Sequence, residues 1–261
     1  MLKRLNRTWR RAATGLCFAV FGIGGLLLSV SVLPLQRLLI RQPQQRQLAA
    51  RLMVQRSFRA FIGMMRWVGV FNFDFPAQQQ LKAMRGCVVI ANHPCLIDVV
   101  ALIAILPKPT CVVKSHLWRN PFMRGVIQST GYISNAEPDG LIADCQRAIA
   151  AGDNLIIFPE GTRTGVDGQL HFQRGAAHLA LRTEAPIAAL WIDCQPVTLT
   201  KGEAWYQSPK QKPTLSIRYL RQIDTEPFRA LTPSIAARRL TEQLNQFYNK
   251  VAIYGFTEPA N

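Results

Sequence analysis

The sequence predicts an α/β fold with a mostly parallel sheet flanked by helices, preceded by an N-terminal membrane helix and a basic amphipathic helix. From residue 70 onward, short β-branched apolar runs alternate with amphipathic segments, which is typical of strands joined by crossover helices. Residues 12–35 are almost wholly apolar and long enough to cross a membrane. Residues 37–66 are rich in arginine and have an apolar side at helical spacing, which favours contact with anionic lipid.

The predicted α/β part alternates strands with helices. The predicted strands are 71–75, 87–91, 110–114, a strand beginning at 131, 155–158, 187–192 and 215–220, and the predicted helices are 121–129, 137–151, 174–182 and 232–249. One more helix is expected to begin near Pro94, because proline suits the first helical turn, and to run through residues 99–106. This helix would carry Asp98 on its second turn.

Residues 1–69 are interpreted as membrane-anchoring helices and residues 70–261 as the α/β domain. A signal peptide competes for residues 12–36, because Ser29 and Ser31 flank a potential cleavage point. The apolar core is longer than in most signal peptides and has no A-x-A site, which favours a retained helix. Arginines on both sides leave the topology open, including a hairpin with both ends in the cytoplasm.

Composition narrows the classes of function. The 31 Lys+Arg against 15 Asp+Glu give a net charge of +16, which favours nucleic acid, an anionic membrane surface or acidic substrates as partners. Six scattered cysteines without a CxxC pair indicate reduced thiols, and argue against a disulfide framework or a zinc site. The sequence has no Walker A loop, no G-x-S-x-G elbow and no complete G-x-G-x-x-G.

Asn92-His93-Pro94-Cys95-Leu96-Ile97-Asp98 places a histidine and an aspartate five positions apart, directly after a predicted buried strand. At such a corner the His93 ring can fold back toward the Asp98 carboxylate. A carboxylate bonded to one ring nitrogen fixes the tautomer and leaves the other nitrogen free as a base. Alone, the motif is equally compatible with a histidine at a helix start beside a solvated aspartate.

Phe158-Pro159-Glu160-Gly161-Thr162-Arg163 follows another predicted strand. Glu160 can accept hydrogen bonds from a hydroxylated acceptor, and Arg163 can hold an anion. Alone, this stretch is more typical of a turn with a surface ion pair. Because both motifs follow strands of a parallel sheet, His93 and Glu160 are expected at one rim of that sheet.

Four stretches in this order resemble the blocks of the glycerolipid acyltransferases, whose best-known members acylate 1-acylglycerol-3-phosphate. Two of them are the motifs above. A stretch similar to the second block is Lys114-x-x-Leu117-x-x-x-Pro121-Phe122-x-x-Gly125 with Gly131-Tyr132-Ile133. A stretch similar to the end of the third block and to the fourth is Phe172-x-x-Gly175-Ala176 with Ala185-Pro186-Ile187. The resemblance covers residues 88–190.

The resemblance implies a role for each matched residue. His93 would be the general base that deprotonates the acceptor hydroxyl, and Asp98 would orient its ring and stabilise the imidazolium. The substrate-binding residues would be Glu160, Gly161, Thr162, Arg163, Arg174 and Lys114. No covalent enzyme intermediate is needed, because the thioester donor is already activated, and Cys95 is expected to be a core residue.

One position departs from the family's pattern. In members that use glycerol phosphates, the second block runs on to an arginine that binds the acceptor phosphate, and Glu137 stands at that position here. A carboxylate would repel a phosphate. Two acceptors therefore stay open: 1-acyl-sn-glycerol-3-phosphate, giving phosphatidate, and a non-phosphate acceptor such as a lyso-amino-acid lipid or a polyketide-like product.

Taken together, these features predict a membrane-bound O-acyltransferase with acyl-CoA or acyl carrier protein (ACP) as donor and a membrane lipid as acceptor. No cofactor and no metal are expected, since thioester transfer needs none and the histidines lack metal-ligand spacing. Nucleic acid is not expected as a partner, because a non-catalytic basic protein leaves the four blocks unexplained. The catalytic domain is expected to face the cytoplasm, at the inner membrane if the protein is bacterial.

Overall fold

The computed structural model describes residues 2–76, 78–113, 121–135, 138–165 and 168–255. The helices in these ranges are α1 (Leu2–Leu27), α2 (Leu33–Leu39), α3 (Pro43–Trp67), α4 (Gln78–Ala83), α5 (Asp98–Ile105), α6 (Pro121–Thr130), α7 (Pro138–Ala150), α8 (Arg174–Thr183) and α9 (Pro233–Tyr254). A π-helical turn, Leu28–Val32, joins α1 to α2, and a 3-10 turn, Glu226–Phe228, precedes α9. The strands are β1 (Asn72–Asp74), β2 (Val88–Ala91), β3 (Pro109–Val113), β4 (Ile133–Ser134), β5 (Asn154–Ile157), β6 (Ile187–Gln195) and β7 (Thr214–Ile223).

The strands form one seven-stranded sheet in the order β1-β7-β6-β2-β5-β3-β4. Strands β6 and β7 pair antiparallel, and the other described pairings are parallel. Every residue of the central strand β2 is buried. A strand covered on both faces is apolar on both faces, which explains the continuous run Val88–Ala91. The predicted α/β fold with a mostly parallel sheet flanked by helices is confirmed.

Helices cover both faces of the sheet, and each face has its own apolar cluster. Val89 of β2 belongs to the cluster that includes α3 and α5, whereas Val88 and Ile90 belong to the cluster that includes α8 and α9. Ala13 and Cys17 of α1 lie in the first cluster. The N-terminal helices therefore share a core with the sheet, and the division between residues 69 and 70 stays a prediction.

The helical stretch Leu5–Leu39 is, within the residues described, the one candidate for crossing a membrane. Its mean hydropathy reaches 2.4, and only 11% of that apolar window is buried. Large apolar side chains point outward along it: Leu16, Ile23 and Val30 are 59%, 59% and 61% exposed. An outward apolar surface of this length suits hydrocarbon rather than water.

Helix α3 is joined to the end of α5 by side-chain hydrogen bonds. Gln55 Nε2 donates to the carbonyls of Ile103 at 3.0 Å and Leu106 at 2.6 Å. Arg59 Nε donates to the carbonyl of Ala104 at 2.6 Å. The last carbonyls of a helix have no partner within the helix, so these side chains satisfy groups that would otherwise be unpaired.

A third polar residue of α3 also reaches into the domain, which differs from the prediction of arginines facing lipid. Arg51 Nε donates to the carbonyl of Thr130 at 2.7 Å, and its Nη1 forms an ion pair with Asp153. Leu48 and Leu52 remain 51% and 46% exposed. Helical periodicity identified the outward apolar residues, but it does not distinguish an arginine on lipid from one bonded to the protein.

Candidate active site

His93 and Asp98 form a hydrogen-bonded pair beyond the carboxyl end of β2. His93 Nδ1 lies 2.9 Å from Asp98 Oδ2, and the backbone N–H of Cys95 donates to the same oxygen at 2.7 Å. Because an ionised carboxylate only accepts hydrogen bonds, the proton of the neutral ring lies on Nδ1. Nε2 then keeps its lone pair and is available as a base.

The turn between the two residues differs from the prediction. Helix α5 begins at Asp98, so Asp98 is its first residue and the prediction of a helix start near Pro94 was wrong. The N–H of Asp98 donates to the carbonyl of Cys95 at 3.3 Å, within a turn. Proline permits a helix start but does not impose one, and here the bond from Cys95 N–H to the Asp98 carboxylate holds the non-helical turn.

Asp98 is fully buried, with 0% of its surface exposed. Burial raises the pKa of the Asp98 carboxyl, while the hydrogen bond and charge of His93 oppose that rise. Asp98 Oδ1 has no hydrogen-bond partner among the described protein atoms. A buried carboxylate with so few partners favours a positive charge beside it, so Asp98 stabilises a proton taken up by His93.

Glu160 ties the second motif to the first. The backbone N–H of His93 and the hydroxyl of Thr164 both donate to Glu160 Oε1, each at 2.9 Å. The N–H of Thr164 donates to the His93 carbonyl at 2.8 Å. Glu160 is 8% exposed, and burial raises the pKa of its carboxyl against these two hydrogen bonds. Glu160 thus fixes the His93 backbone, and its expected contact with an acceptor stays a prediction.

Two residues that border His93 were not among the predicted site residues. The ring of Phe158 stacks on the imidazole, with centroids 4.2 Å apart and planes inclined by 26°. Asn92 donates from Nδ2 to the carbonyl of Ile192 and accepts from its N–H, both at 2.8 Å. The sequence offered one signal for these residues, since Asn92 lies in the His93 motif and Phe158 in the Glu160 motif. Their contacts form only when neighbouring strands are paired, so the sequence did not reveal them.

The connection between β6 and β7, residues 196–213, borders the same motifs. Arg163 Nη1 donates to the carbonyls of Leu199 at 2.9 Å and Thr200 at 2.8 Å. The N–H of Leu96 also donates to the Leu199 carbonyl, at 3.2 Å. Arg163 therefore holds this connection against the turn that contains Leu96.

A cavity of about 630 Å³ opens beside His93. Gly161, whose φ of +65° lies in the region that glycine favours, lines it together with Thr162 and Arg163. The aliphatic wall comes from β3, β5, α5, α7 and α8 and includes Val99, Val113, Leu141, Ile156 and Leu179. An apolar space with a base beside it suits a hydrocarbon chain joined to a polar reacting group.

The predicted site residues are not all found at this cavity. His93 and residues 161–163 line it, Asp98 and Glu160 support His93, and Arg174 is an exposed residue at the start of α8 outside the lining. Contact between Arg174 and a substrate stays a prediction. Lys114 and Glu137, on which the predictions about substrate and acceptor depend, lie outside the described residues.

The remaining ionisable groups offer no competing centre in the ranges that the structure covers. No group of three or more His, Cys, Asp or Glu side chains there is placed to hold a metal ion. All six cysteines are free and buried. Cys95 is 0% exposed, and the hydrogen bond with the Cys194 thiol, together with burial, raises its pKa, which makes it a poor nucleophile.

Comparison with known proteins matches part of the chain to a family model. The family model described as Acyltransferase matches residues 72–193. The human 1-acyl-sn-glycerol-3-phosphate acyltransferase beta is 26% identical over 182 residues, covering 65% of this chain and 60% of that protein. The Cocos nucifera 1-acyl-sn-glycerol-3-phosphate acyltransferase is 30% identical over 149 residues, covering 53% of this chain and 46% of that protein. The chain thus spans less than two thirds of the length of these relatives.

A solved structure shares the fold. The crystal structure of the 1-acyl-sn-glycerophosphate (LPA) acyltransferase PlsC from Thermotoga maritima has a TM-score of 0.66 at 16% sequence identity, covering 95% of this chain and 97% of that chain. The family match runs from β1 into β6 and so includes the His93–Asp98 pair and the Glu160 loop. Over residues 72–193, the resemblance to the glycerolipid acyltransferases is therefore supported by the family model and by the named relatives.

Proposed function

We propose that this protein transfers an acyl chain from a thioester donor to the free hydroxyl of 1-acyl-sn-glycerol-3-phosphate, giving phosphatidate. The observation that carries the proposal is the His93–Asp98 pair, 2.9 Å apart, beside an apolar cavity of about 630 Å³. The relatives above are named for 1-acyl-sn-glycerol-3-phosphate, which favours this acceptor over the non-phosphate alternative. The expected repulsion by Glu137 is the sequence feature that this proposal must overcome.

In the proposed reaction, His93 Nε2 takes the proton of the acceptor hydroxyl while its oxygen attacks the thioester carbonyl. The new C–O bond forms, the C–S bond breaks, and the imidazolium returns its proton to the departing thiolate. Asp98 holds Nδ1–H and the transient positive charge throughout. A positioned base of this kind contributes about 10²–10⁴ in rate.

The surroundings of His93 support a place for each substrate. The aliphatic cavity would take the transferred chain, and Arg163 at its edge would attract the acceptor phosphate. A net charge of +16 would attract the acidic donors acyl-CoA or acyl-ACP. Residues Leu5–Leu39 would hold the domain at the bilayer, on the cytoplasmic side where these donors are found.

The test is acyl transfer by membranes that contain the protein, with acyl-CoA or acyl-ACP and a panel of lyso-lipids. We expect strong preference for lysophosphatidate over lyso-lipids with a capped or missing phosphate. We also expect His93→Ala to abolish transfer at an unchanged amount of protein in the membrane. Preference for a capped lyso-lipid would contradict the acceptor, and an active His93→Ala variant would contradict the mechanism.

A further inference from the structure

The β6–β7 connection, residues 196–213, carries exposed apolar side chains that the proposed reaction does not use. Val197, Trp205 and Tyr206 are 56%, 49% and 57% exposed. The two aromatic rings meet edge to face, with centroids 5.6 Å apart. Tryptophan and tyrosine side chains concentrate at membrane–water interfaces, because each joins an apolar ring to a polar group.

These aromatic residues lie against the apolar helix α1. The ring of Trp205 packs on Gly15 so closely that a Cβ at residue 15 would lie 2.8 Å from its Cζ3 atom. The next residue of α1, Leu16, is 59% exposed. The exposed surface of the connection is therefore continuous with the outward apolar surface of the candidate membrane span.

Hydrogen bonds fix the connection at the charged end of α1. Arg10 Nη2 donates to the carbonyls of Pro209 at 2.9 Å and Lys210 at 2.8 Å. Arg7 Nε donates to the carbonyl of Ser208 at 3.0 Å. Both arginines precede residue 12, where the chain changes from basic to apolar. In a membrane-spanning helix, that change marks the interface between headgroups and hydrocarbon.

Positive charge surrounds the connection at this level. Burial lowers the pKa of Lys212, and the positive charges of Arg66 and Arg10 lower it further. Lys210 is exposed beside them. The acidic residue of the connection, Glu203, accepts a hydrogen bond from within the connection itself. A basic surface of this kind attracts anionic lipid headgroups.

We propose that the β6–β7 connection is a second membrane-contact element, which seats Trp205 and Tyr206 in the interface of an anionic leaflet. A lipid surface fits better than a partner protein, because the aromatic residues continue the apolar surface of α1 and are accompanied by basic groups. The proposal rests on the membrane attachment included in the proposed function. It adds a contact made by the α/β domain itself.

This contact would reach the active site through two hydrogen bonds to the Leu199 carbonyl, one from a backbone N–H and one from a side chain. The carbonyl of Leu199, in the connection, accepts from both Leu96 and Arg163. Leu96 lies between His93 and Asp98 and is 45% exposed. A connection seated among headgroups would therefore hold the turn that contains Leu96, between His93 and Asp98, close to the lipid surface.

Site-directed fluorescence tests the contact in the full chain. All six native cysteines are buried, so Tyr206→Cys introduces a thiol that a nitrobenzoxadiazole probe can label selectively. Tyr254→Cys is the matched control, because Tyr254 is a 79% exposed tyrosine at the end of α9, which packs on the opposite face of the sheet from α1. Ile23→Cys, at a residue 59% exposed in the middle of the apolar span, reports insertion of the N-terminal helices.

The labelled proteins are reconstituted in phosphatidylcholine vesicles with and without phosphatidylglycerol, containing lipids with a doxyl quencher near the headgroup or deep in the chain. We expect headgroup quenching to be several-fold stronger at residue 206 than at residue 254, and stronger with phosphatidylglycerol. Equal quenching at residues 206 and 254 would overturn the inference.

The outcomes separate this inference from the proposals it builds on. Quenching at residue 23 by deep doxyl groups, with none at residue 206, leaves the membrane attachment intact and overturns only the second contact. Quenching at neither position overturns both. Each labelled variant is also prepared with His93→Ala, and we expect the same quenching there. Membrane contact is thus measured independently of whether the proposed reaction takes place.

Discussion

The backbone N–H of His93 donates to Glu160 Oε1 at 2.9 Å, so the carboxylate of the second motif supports the main chain of the first. The same oxygen accepts from Thr164 at 2.9 Å. In both bonds Glu160 is the hydrogen-bond acceptor, and it thereby holds the backbone of His93 in place. This relationship explains why two motifs far apart in the chain depend on each other.

The first prediction separates support of His93 from direct contact with substrate. Glutamine keeps an Oε1 acceptor, so Glu160→Gln should retain most activity and be no less stable than the parent protein. Glu160→Ala leaves the N–H of His93 and the hydroxyl of Thr164 without this partner, which should cost about 1–3 kcal/mol of stability and most activity. Thermal unfolding in detergent and acyl transfer measure the two effects. An inactive but stable Glu160→Gln variant would show that the charge itself contacts the substrate.

The second prediction concerns the pH dependence of stability. Burial raises the pKa of the Glu160 carboxyl above the usual 4.5, so its protonated form is favoured in the folded protein. The stabilisation that the folded protein gains from protonated Glu160 is complete below the pKa of this carboxyl in the unfolded chain. It is lost as the pH rises through the higher pKa of the folded protein. The stability of Glu160→Gln relative to the parent protein should therefore increase as the pH rises above 4.5. Unfolding midpoints across that range measure the gain, and parallel pH profiles would contradict it.

The third prediction concerns the bond between α3 and α5. Gln55 is 7% exposed and bonds two carbonyls at the end of α5. Gln55→Leu leaves both carbonyls unpaired in a buried place and should destabilise the protein by about 1–3 kcal/mol. Arg56→Ala, at an exposed residue of the same helix, is the control and should change stability by less than about 0.5 kcal/mol. Equal unfolding midpoints for the two variants would contradict this.

The fourth prediction concerns the close packing of α6 on the π-helical turn. A Cβ at Gly125 would lie 2.8 Å from Ser29 Cβ and 3.1 Å from Ser29 Cα, so Gly125→Ala forces the two helices apart. We expect a loss of about 1–3 kcal/mol. Gly140→Ala, which would meet nothing within 4 Å on α7, should instead stabilise by up to about 1 kcal/mol. Thermal inactivation in membranes compares them, and a stable Gly125→Ala variant would contradict the close approach.

The strands, most of the helices between them and the position of the His93–Asp98 pair were predictable from the sequence because they depend on local patterns. The short helix α4 was not predicted. A β-branched apolar run identifies a buried strand wherever it lies, and residues that follow parallel strands meet at one rim. The seven strands lie within a residue or a few of the predicted ranges. His93, Glu160 and Arg163 were brought together by that topology.

Contacts between distant segments were not predictable in the same way. The start of α5 at Asp98 depends on a hydrogen bond from Cys95, which competes with the helix that Pro94 permits. The inward bonds of Arg51 and Arg59 depend on carbonyls that only the folded chain places nearby. The same holds for Phe158, whose ring meets His93 only once two strands are adjacent.

Helix α5 is bonded at both of its ends, through Asp98 to His93 and through its last carbonyls to Gln55 and Arg59 of α3. Its eight residues span about 12 Å of rigid helix. The distance between His93 and α3 is therefore set by the length of α5 and by the hydrogen bonds at its two ends. We expect bilayers of different thickness to alter how substrates are presented while leaving the base at a constant distance from α3.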